Sequence, residues 1–133
     1  DSLLSVLFYS DSRSPKIAQI EKNNLTSLIW YHPKRKLQVR MDCIAHIVEE
    51  KSQLYKDHLI KVKHSKSVSD YKSSLAPGTE LNGLEVKHRD EIHFSLIQLN
   101  PTLIDILQLS NEGHQRSLYI KANEQWQESI LVP

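Results

Sequence analysis

The chain has 133 residues, a usual length for one domain with one hydrophobic core. Apolar residues make up 39% and charged residues 25%, a mixture typical of globular chains and not of disordered ones. The net charge is +1, from 17 basic and 16 acidic side chains, and this near balance argues against an electrostatic nucleic-acid binder.

The first predicted element is a strand over Leu3–Tyr9, which is a short apolar and aromatic run. A helix follows it. Ser14 is placed to cap the N-terminus of this helix, and Pro15 suits its first position, where the missing N–H costs nothing. The helix carries a narrow apolar stripe that consists of Ile17, Ala18 and Ile20.

A second strand is predicted over Leu25–Tyr31, and the run His32–Lys36 is typical of a turn. From Leu37 to Ile47, apolar and polar residues then alternate with period two. This pattern predicts a long strand with one apolar face. The other face of that strand must meet solvent, a ligand or another subunit, because it carries Gln38, Arg40 and Asp42.

The second half of the chain is predicted to be mostly strand. A helix comes first, over Glu50–Val62, with buried contacts at Leu54, Tyr55, Leu59 and Val62. Residues 63–90 predict an irregular, lid-like segment with a short helix. Four strands follow, over His93–Leu99, Ile104–Leu109, Arg116–Ala122 and Trp126–Val132, and the last two are joined by a turn at Asn123–Gln125. Short strands joined by turns, with two helices, predict a mainly β fold, a small antiparallel barrel.

The sequence lacks the signals of several classes of functional site. Cys43 is the only cysteine, so an internal disulfide is excluded and a reducing, cytoplasmic location fits best. The three glycines are scattered, so there is no Gly-rich phosphate loop. The seven histidines show no metal-ligand spacing, and no apolar run approaches the roughly 18 residues of a membrane helix. The chain is therefore predicted to use neither a metal nor a membrane.

The strongest candidate for a functional site is Ser10–Lys16, with the sequence SDSRSPK. A helix N-terminus presents unpaired N–H groups and a partial positive charge, which suit an anion. Arg13 and Lys16 would add full charges, and hydroxyl donors would come from Ser10, Ser12 and Ser14. On spacing alone, an ordinary capped helix with both cations facing water explains the same residues.

Three segments, in the same order, resemble pyridoxamine 5'-phosphate oxidases and their relatives. Val6–Asn24 resembles the region that reads F-Y-T-[ND]-x-x-S-x-K-x-x-Q-[IL]-x-x-N, and Leu37–Ala45 resembles the following strand with its Gln-Val pair. Asp105–Pro133 resembles the C-terminal ending, with its His-x-Arg, late Trp and closing Leu-x-Pro. The resemblance implies an antiparallel Greek-key FMN-binding split barrel, a homodimer with FMN between the subunits, and flavin-dependent oxidoreductase activity on a small molecule.

By position, the first segment would bind the phosphate end of FMN. The resemblance implies that Tyr9 and Ser10 lie along the flavin and that Lys16 meets the phosphate, with Ser14 in the same grip. Arg13 would replace the basic residue that many members carry directly before this lysine.

The remaining implied contacts lie elsewhere in the chain. Gln38 of the partner subunit would approach the isoalloxazine ring, and its amide offers both a donor and an acceptor to a heterocycle edge. Lys72 and Ser73 match a Gln-Ser pair near the flavin. Arg116 matches a flavin-contacting arginine, and His114 matches a substrate-contacting histidine. No side chain is assigned as a catalytic nucleophile.

The chain also departs from the family's pattern. Residues 1–133 are expected to form one split-barrel domain that lacks the family's first strand or strands. Cys43 stands where a glycine is common, Leu107 where true oxidases have a tryptophan, and Gly113 near a missing substrate-binding arginine. These departures favour a substrate other than a vitamin B6 phosphate. They leave open an alternative: a non-catalytic dimeric split-barrel binding protein with weakened or lost flavin affinity. An oligonucleotide-binding barrel is disfavoured by the balanced charge.

Overall fold

A computed structural model describes residues 4–133, so Leu3, the first residue of the predicted first strand, lies outside the described residues. The elements in chain order are β1 (Val6–Ser10), α1 (Pro15–Lys22), β2 (Leu25–His32), β3 (Leu37–Ile47), α2 (Gln53–Lys63), a 3₁₀ helix (Lys66–Tyr71), β4 (Ser95–Gln108), β5 (Gln115–Ala122) and β6 (Gln125–Leu131). The strands form an antiparallel sheet in the order β2-β3-β4-β5-β6, and β1 pairs with β4. The predicted mainly β class with two α-helices is confirmed.

The described residues divide into two compact units. Unit 1 consists of residues 4–6, Leu25–Ala45 and Leu99–Pro133, and unit 2 consists of Leu7–Asn24 and His46–Gln98. That residues 1–133 form a single split-barrel domain stays a prediction.

β3 has the predicted bounds and the predicted alternation. Cys43 and Ala45 on its apolar face are each 2% exposed, whereas Gln38 and Arg40 on the opposite face are exposed. β2 pairs with β3 in a register that runs from Leu25 opposite Ile44 to His32 opposite Leu37. The period-two pattern therefore predicted the strand and also which of its faces is buried. It could do so because only one face packs against the core.

β4 corrects the prediction of two separate strands over 93–99 and 104–109. The structure has one strand, Ser95–Gln108, which runs through Asn100 and Pro101. A proline interrupts a strand where its missing N–H would have completed a ladder bond. The paired stretch of β4 and β5 begins only at Leu103, so Pro101 removes no bond from it.

Both helices form close to their predicted positions. The start of α2 and the buried residues of both helices differ from the prediction. α1 begins at Pro15 and buries Ile17 and Ile20, but Ala18 is exposed and is no part of its buried stripe. α2 begins at Gln53 and not at Glu50, because the Ser52 hydroxyl accepts a hydrogen bond from the Tyr55 N–H at 3.2 Å. Tyr55 and Val62 share the buried face of α2. Leu54, which was predicted to be buried, lies on a different face of the helix and is 39% exposed.

Phe94 lies at the centre of the core of unit 2. Its ring is 2% exposed and packs against the rings of Tyr9, Tyr55 and Tyr71 at centroid distances of 5.2, 5.3 and 5.6 Å. The Tyr55 hydroxyl donates to the carbonyl oxygen of Phe94 at 3.0 Å, and burial raises the pKa of that hydroxyl. The contact with Phe94 therefore holds one side of the Tyr9 ring against the protein.

Candidate functional site

The first turn of α1 carries no side-chain cap. Ser14 occupies the N-cap position with extended backbone, but its side chain makes no capping hydrogen bond. Its N–H donates to the carbonyl oxygen of Asp11 at 3.0 Å, and its own carbonyl accepts from the Ile17 N–H at 2.9 Å. The helix therefore leaves the Ser14 hydroxyl and the partial positive charge of its N-terminus available.

Lys16 places a full positive charge at the same turn. Its side chain is exposed, and its Nζ lies 5.4 Å from the centre of the Phe8 ring. Within residues 4–133, no carboxylate forms an ion pair with it. Lys16 is therefore an unneutralised cation beside an uncapped helix N-terminus, which is an arrangement that can bind an anion.

Arg13 is partly exposed and paired within the protein, which differs from the alternative in which its side chain faces water unpaired. Its Nε and Nη2 donate to the two carboxylate oxygens of Asp11 at 3.0 and 2.8 Å. Its Nη2 also donates to the carbonyl oxygens of Ser73 and Leu75 at 2.9 and 3.4 Å. The side chains of Arg13 and Asp11 are 26% and 5% exposed, so the arginine charge is already neutralised.

The pKa of Asp11 follows from this pairing. Burial alone raises the pKa of the carboxyl, but the side-chain and backbone hydrogen bonds from Arg13 and the charges of Arg13 and His93 outweigh it. The pKa of Asp11 therefore lies below its ordinary value, and the hydrogen bond to Asp11 raises the pKa of Arg13. Asp11 stays ionised at neutral pH, with Arg13 as its partner.

Tyr9 and Ser10 are the first predicted flavin neighbours. Tyr9 is 37% exposed, and its hydroxyl shares a 2.7 Å hydrogen bond with the Nδ1 of His58 on α2. Ser10 is buried, and its hydroxyl donates to the carbonyl oxygen of Asp11 at 3.3 Å. His58 is separated from Tyr9 by 49 residues, so this contact has no local signal in the sequence.

Lys72 and Ser73 lie where the chain leaves the 3₁₀ helix, and the structure brings Ser73 to Arg13. The Ser73 hydroxyl donates to the carbonyl oxygen of Leu75 at 2.9 Å and accepts from the Leu75 N–H at 3.3 Å. The carbonyl of Lys72 accepts from the Arg89 N–H at 2.9 Å. The hydroxyl of Ser73 is therefore used by its own turn, whereas no ion pair within residues 4–133 occupies Lys72.

The remaining predicted residues lie in unit 1. Arg116 donates from Nε and Nη2 to the carboxylate of Asp105 at 3.0 and 2.7 Å. The hydrogen bonds from Arg116 lower the pKa of Asp105 and outweigh burial, which raises it. The positive charges of Arg116 and Arg40 lower this pKa further. His114 accepts from the Ser110 N–H at 3.2 Å through its Nδ1, inside the turn before β5.

One surface of unit 1 combines polar and apolar side chains. We define the β2–β3 face as the solvent side of the two strands, formed by Ser27, Ile29, Tyr31, Gln38, Arg40, Asp42 and Ile44. The register places Ile29 opposite Arg40 and Tyr31 opposite Gln38. An open cavity of about 350 Å³ is lined by Ser27, Arg40 and Asp42 of this face and by Leu25, Thr26, Cys43 and Thr102 beside it. The Ser27 hydroxyl donates to Asp42 at 2.8 Å. The Arg40–Asp42 ion pair is long, at 3.7 Å.

Some kinds of site do not occur in the part of the chain that the structure describes. No group of three or more His, Cys, Asp or Glu side chains there is arranged to hold a metal ion. None of its helices combines the length and the apolar composition that a membrane span requires. Cys43 is buried, and burial raises the pKa of its thiol, so it lacks the exposed thiolate of a reactive cysteine.

Solved structures share the fold of this chain. One is a pyridoxamine 5'-phosphate oxidase-related, FMN binding protein from Nostoc punctiforme PCC 73102, with a TM-score of 0.79 and 22% identity over 100% of this chain and 75% of that one. Another is PhzG from Burkholderia lata 383, in complex with tetrahydrophenazine-1-carboxylic acid, with a TM-score of 0.72 and 16% identity over 97% of this chain and 69% of that one. No protein-family model and no curated protein sequence matches the chain. The resemblance predicted from the sequence is confirmed as a shared fold.

Proposed function

We propose that this chain is an FMN-binding flavoprotein related to pyridoxamine 5'-phosphate oxidase, and that it acts as an oxidoreductase on a small-molecule substrate. Its fold is that of an FMN binding protein of known structure. The observation that carries the proposal is the first turn of α1, where Ser14 makes no capping bond and Lys16 has no carboxylate partner among the described residues. A phosphate would satisfy both groups.

The charges around this turn fit a phosphate. Asp11 lies close in sequence and would repel an anion, but Arg13 neutralises it through two hydrogen bonds. Ser14 and Lys16 are then the residues proposed to hold the phosphate, and Arg13 supports them without touching it. Tyr9 presents a partly exposed ring, fixed by His58 and Phe94, as a wall for the flavin.

Bound FMN would supply the transfer of a hydride or of electrons, so no side chain has to act as a nucleophile. The protein would bind, orient and shield the ring. Contacts of Ser10, Gln38, Lys72, Ser73 and Arg116 with FMN, and of His114 with substrate, stay predictions, as does a cytoplasmic location.

A non-catalytic binding protein with weak flavin affinity is the second candidate. The observation that favours it is that two of the predicted cofactor-binding cations, Arg13 and Arg116, are already paired with Asp11 and Asp105. A cation in a bidentate ion pair has less charge to offer a ligand than a free one.

The visible spectrum decides between these two functions. We expect the purified protein, as isolated or after incubation with FMN and removal of the excess, to absorb near about 370 and about 450 nm, as flavins do. Bound FMN should also lose its fluorescence or change its circular dichroism. A protein that stays colourless after incubation with excess FMN contradicts flavin binding and supports the second candidate.

We also propose that the chain forms a homodimer through the β2–β3 face. Ile29, Tyr31 and Ile44 are 66, 50 and 41% exposed on this face, beside the charged Arg40 and Asp42. Apolar side chains rimmed by polar ones are typical of a protein interface. In this dimer, Gln38 of the partner subunit stays the predicted neighbour of the flavin ring.

Sedimentation equilibrium at micromolar concentration tests the dimer. The wild-type chain should sediment as a dimer, and Ile29→Asp should raise the dimer dissociation constant by about 10-fold or more, because it buries a charge in the interface. Ile130→Asp on β6, at a position that is 74% exposed, is the matched control and should leave the dimer intact. A wild-type chain that sediments as a monomer would refute the proposal.

A further inference from the structure

Residues 72–89, which we name the 72–89 lobe, form an irregular excursion that is closed at its base. The Arg89 N–H donates to the carbonyl oxygen of Lys72 at 2.9 Å, and the Ser74 N–H donates to that of Lys87 at 2.6 Å. Ser73 and His88 form an isolated antiparallel bridge between these two bonds. Beyond the base the lobe has no regular structure, so its position depends on what holds it from outside.

Two contacts connect the lobe to the start of α1. Arg13 reaches the carbonyl oxygens of Ser73 and Leu75, where the chain enters the lobe. Further along, a Cβ placed on Gly78 would lie 3.7 Å from the Cγ of Pro15, the first residue of α1. The lobe therefore lies against the turn that carries Ser14 and Lys16.

Asp11 fixes the direction of the arginine side chain. Its two oxygens accept from Nε and Nη2, and its Oδ1 also accepts from the Arg13 N–H at 2.8 Å. A planar guanidinium can hold a carboxylate and carbonyl oxygens at once, whereas an ammonium acts as a compact point charge. The arrangement thus requires an arginine, a carboxylate two residues before it, and the lobe carbonyls.

We infer that Asp11 and Arg13 form a latch that holds the 72–89 lobe on the first turn of α1, and that this latch sets the selectivity of that turn for a phosphate-bearing ligand. The second part rests on the proposed function, since it takes FMN as the ligand. Asp11 and Arg13 are positioning residues: they touch the lobe and not the ligand. Breaking the latch frees the lobe. Loss of the Arg13 charge also leaves the Asp11 carboxylate unpaired near Ser14 and Lys16, where it repels a phosphate, whereas loss of the Asp11 charge leaves an unpaired cation there.

Amide hydrogen exchange without any flavin tests the latch itself. In Asp11→Asn and Arg13→Lys, the amides of Ser74 and Arg89 should exchange about 10-fold faster or more than in wild type, because local opening of the lobe becomes easier. The amides inside α2 should keep their wild-type rates. Glu85→Gln, which changes an exposed lobe carboxylate outside the latch, should leave the exchange rates unchanged. Unaltered exchange at Ser74 and Arg89 in both latch variants would overturn the inference.

The ratio of FMN to riboflavin affinity tests the selectivity. Riboflavin lacks the phosphate, so Arg13→Gln, which leaves the Asp11 carboxylate unpaired, should weaken FMN binding about 10-fold while riboflavin binding changes less than about twofold. Asp11→Asn removes the same carboxylate and should not weaken FMN binding. In Arg13→Gln, an equal loss of affinity for both flavins, or no loss for either, leaves the ratio of FMN to riboflavin affinity unchanged. Either result overturns the positioning claim, and an equal loss indicates a merely structural role. If an Arg13 variant does not fold, Asp11→Asn, which keeps the side-chain shape, decides both readouts: its exchange at Ser74 and Arg89 should be faster, and its ratio of FMN to riboflavin affinity should equal or exceed that of wild type. A wild-type protein that binds neither flavin refutes the proposed function and the selectivity together, and hydrogen exchange still decides the latch.

Discussion

Replacing Phe94 with alanine should lower the free energy of unfolding by about 3–5 kcal/mol, the largest stability effect that we expect from a single substitution in this chain. The ring is 2% exposed and contacts the rings of Tyr9, Tyr55 and Tyr71, so its removal leaves a cavity between three large side chains. Those rings are tied to other elements and have little freedom to close the cavity.

Urea unfolding followed by tyrosine and tryptophan fluorescence measures this effect. Phe94→Leu keeps most of the volume and should cost less than the alanine variant. Ile130→Ala on β6 removes a side chain at a position that is 74% exposed, and it should change stability by no more than about 0.5 kcal/mol. A loss below about 1 kcal/mol in Phe94→Ala would show that the aromatic cluster is not a tightly packed core.

Lys16→Ala should raise the dissociation constant of FMN by about 10- to 100-fold, since a hydrogen bond to a charged group contributes about 1.5–3 kcal/mol. The stability of the protein should hardly change, because the side chain is exposed and has no ion-pair partner among residues 4–133. Quenching of FMN fluorescence on titration measures the affinity.

The other end of the same helix provides the control. Lys22 is an exposed lysine in the last turn of α1, so Lys22→Ala removes the same charge without touching the N-terminal turn. It should leave the FMN affinity within about twofold of wild type, because screening weakens the effect of a distant exposed charge. Equal FMN affinity in Lys16→Ala and wild type would remove Lys16 from the phosphate site.

Local patterns in the sequence predicted local structure well. β3 was found from its alternation, and the turn between β5 and β6 from its residues: Asn123 and Glu124 have φ values of 51° and 62°, which suit a two-residue hairpin. Ser14 was likewise found at the start of α1. The signal in each case lies within the element, so neighbouring residues carry enough information.

The roles of the site residues depend on distant contacts and were predicted less well. Asp11 two residues before Arg13 is a recognisable turn pattern, because the carboxylate accepts from the Arg13 N–H. The lobe carbonyl of Ser73, however, lies 60 residues from Arg13, and His58 lies 49 residues from Tyr9. No local pattern could reveal these partners, so the sequence did not predict that the Arg13 side chain is paired and only 26% exposed.

The burial of Cys43 makes the chain convenient for thiol-directed labelling. Maleimides react with the thiolate, and the raised pKa and 2% exposure of Cys43 disfavour that reaction in the folded state. A single cysteine introduced at an exposed lobe position, as in Lys87→Cys, would therefore accept a fluorophore or a spin label selectively, with the native thiol left in place. Probes of this kind report directly on motions of the surface to which they are attached.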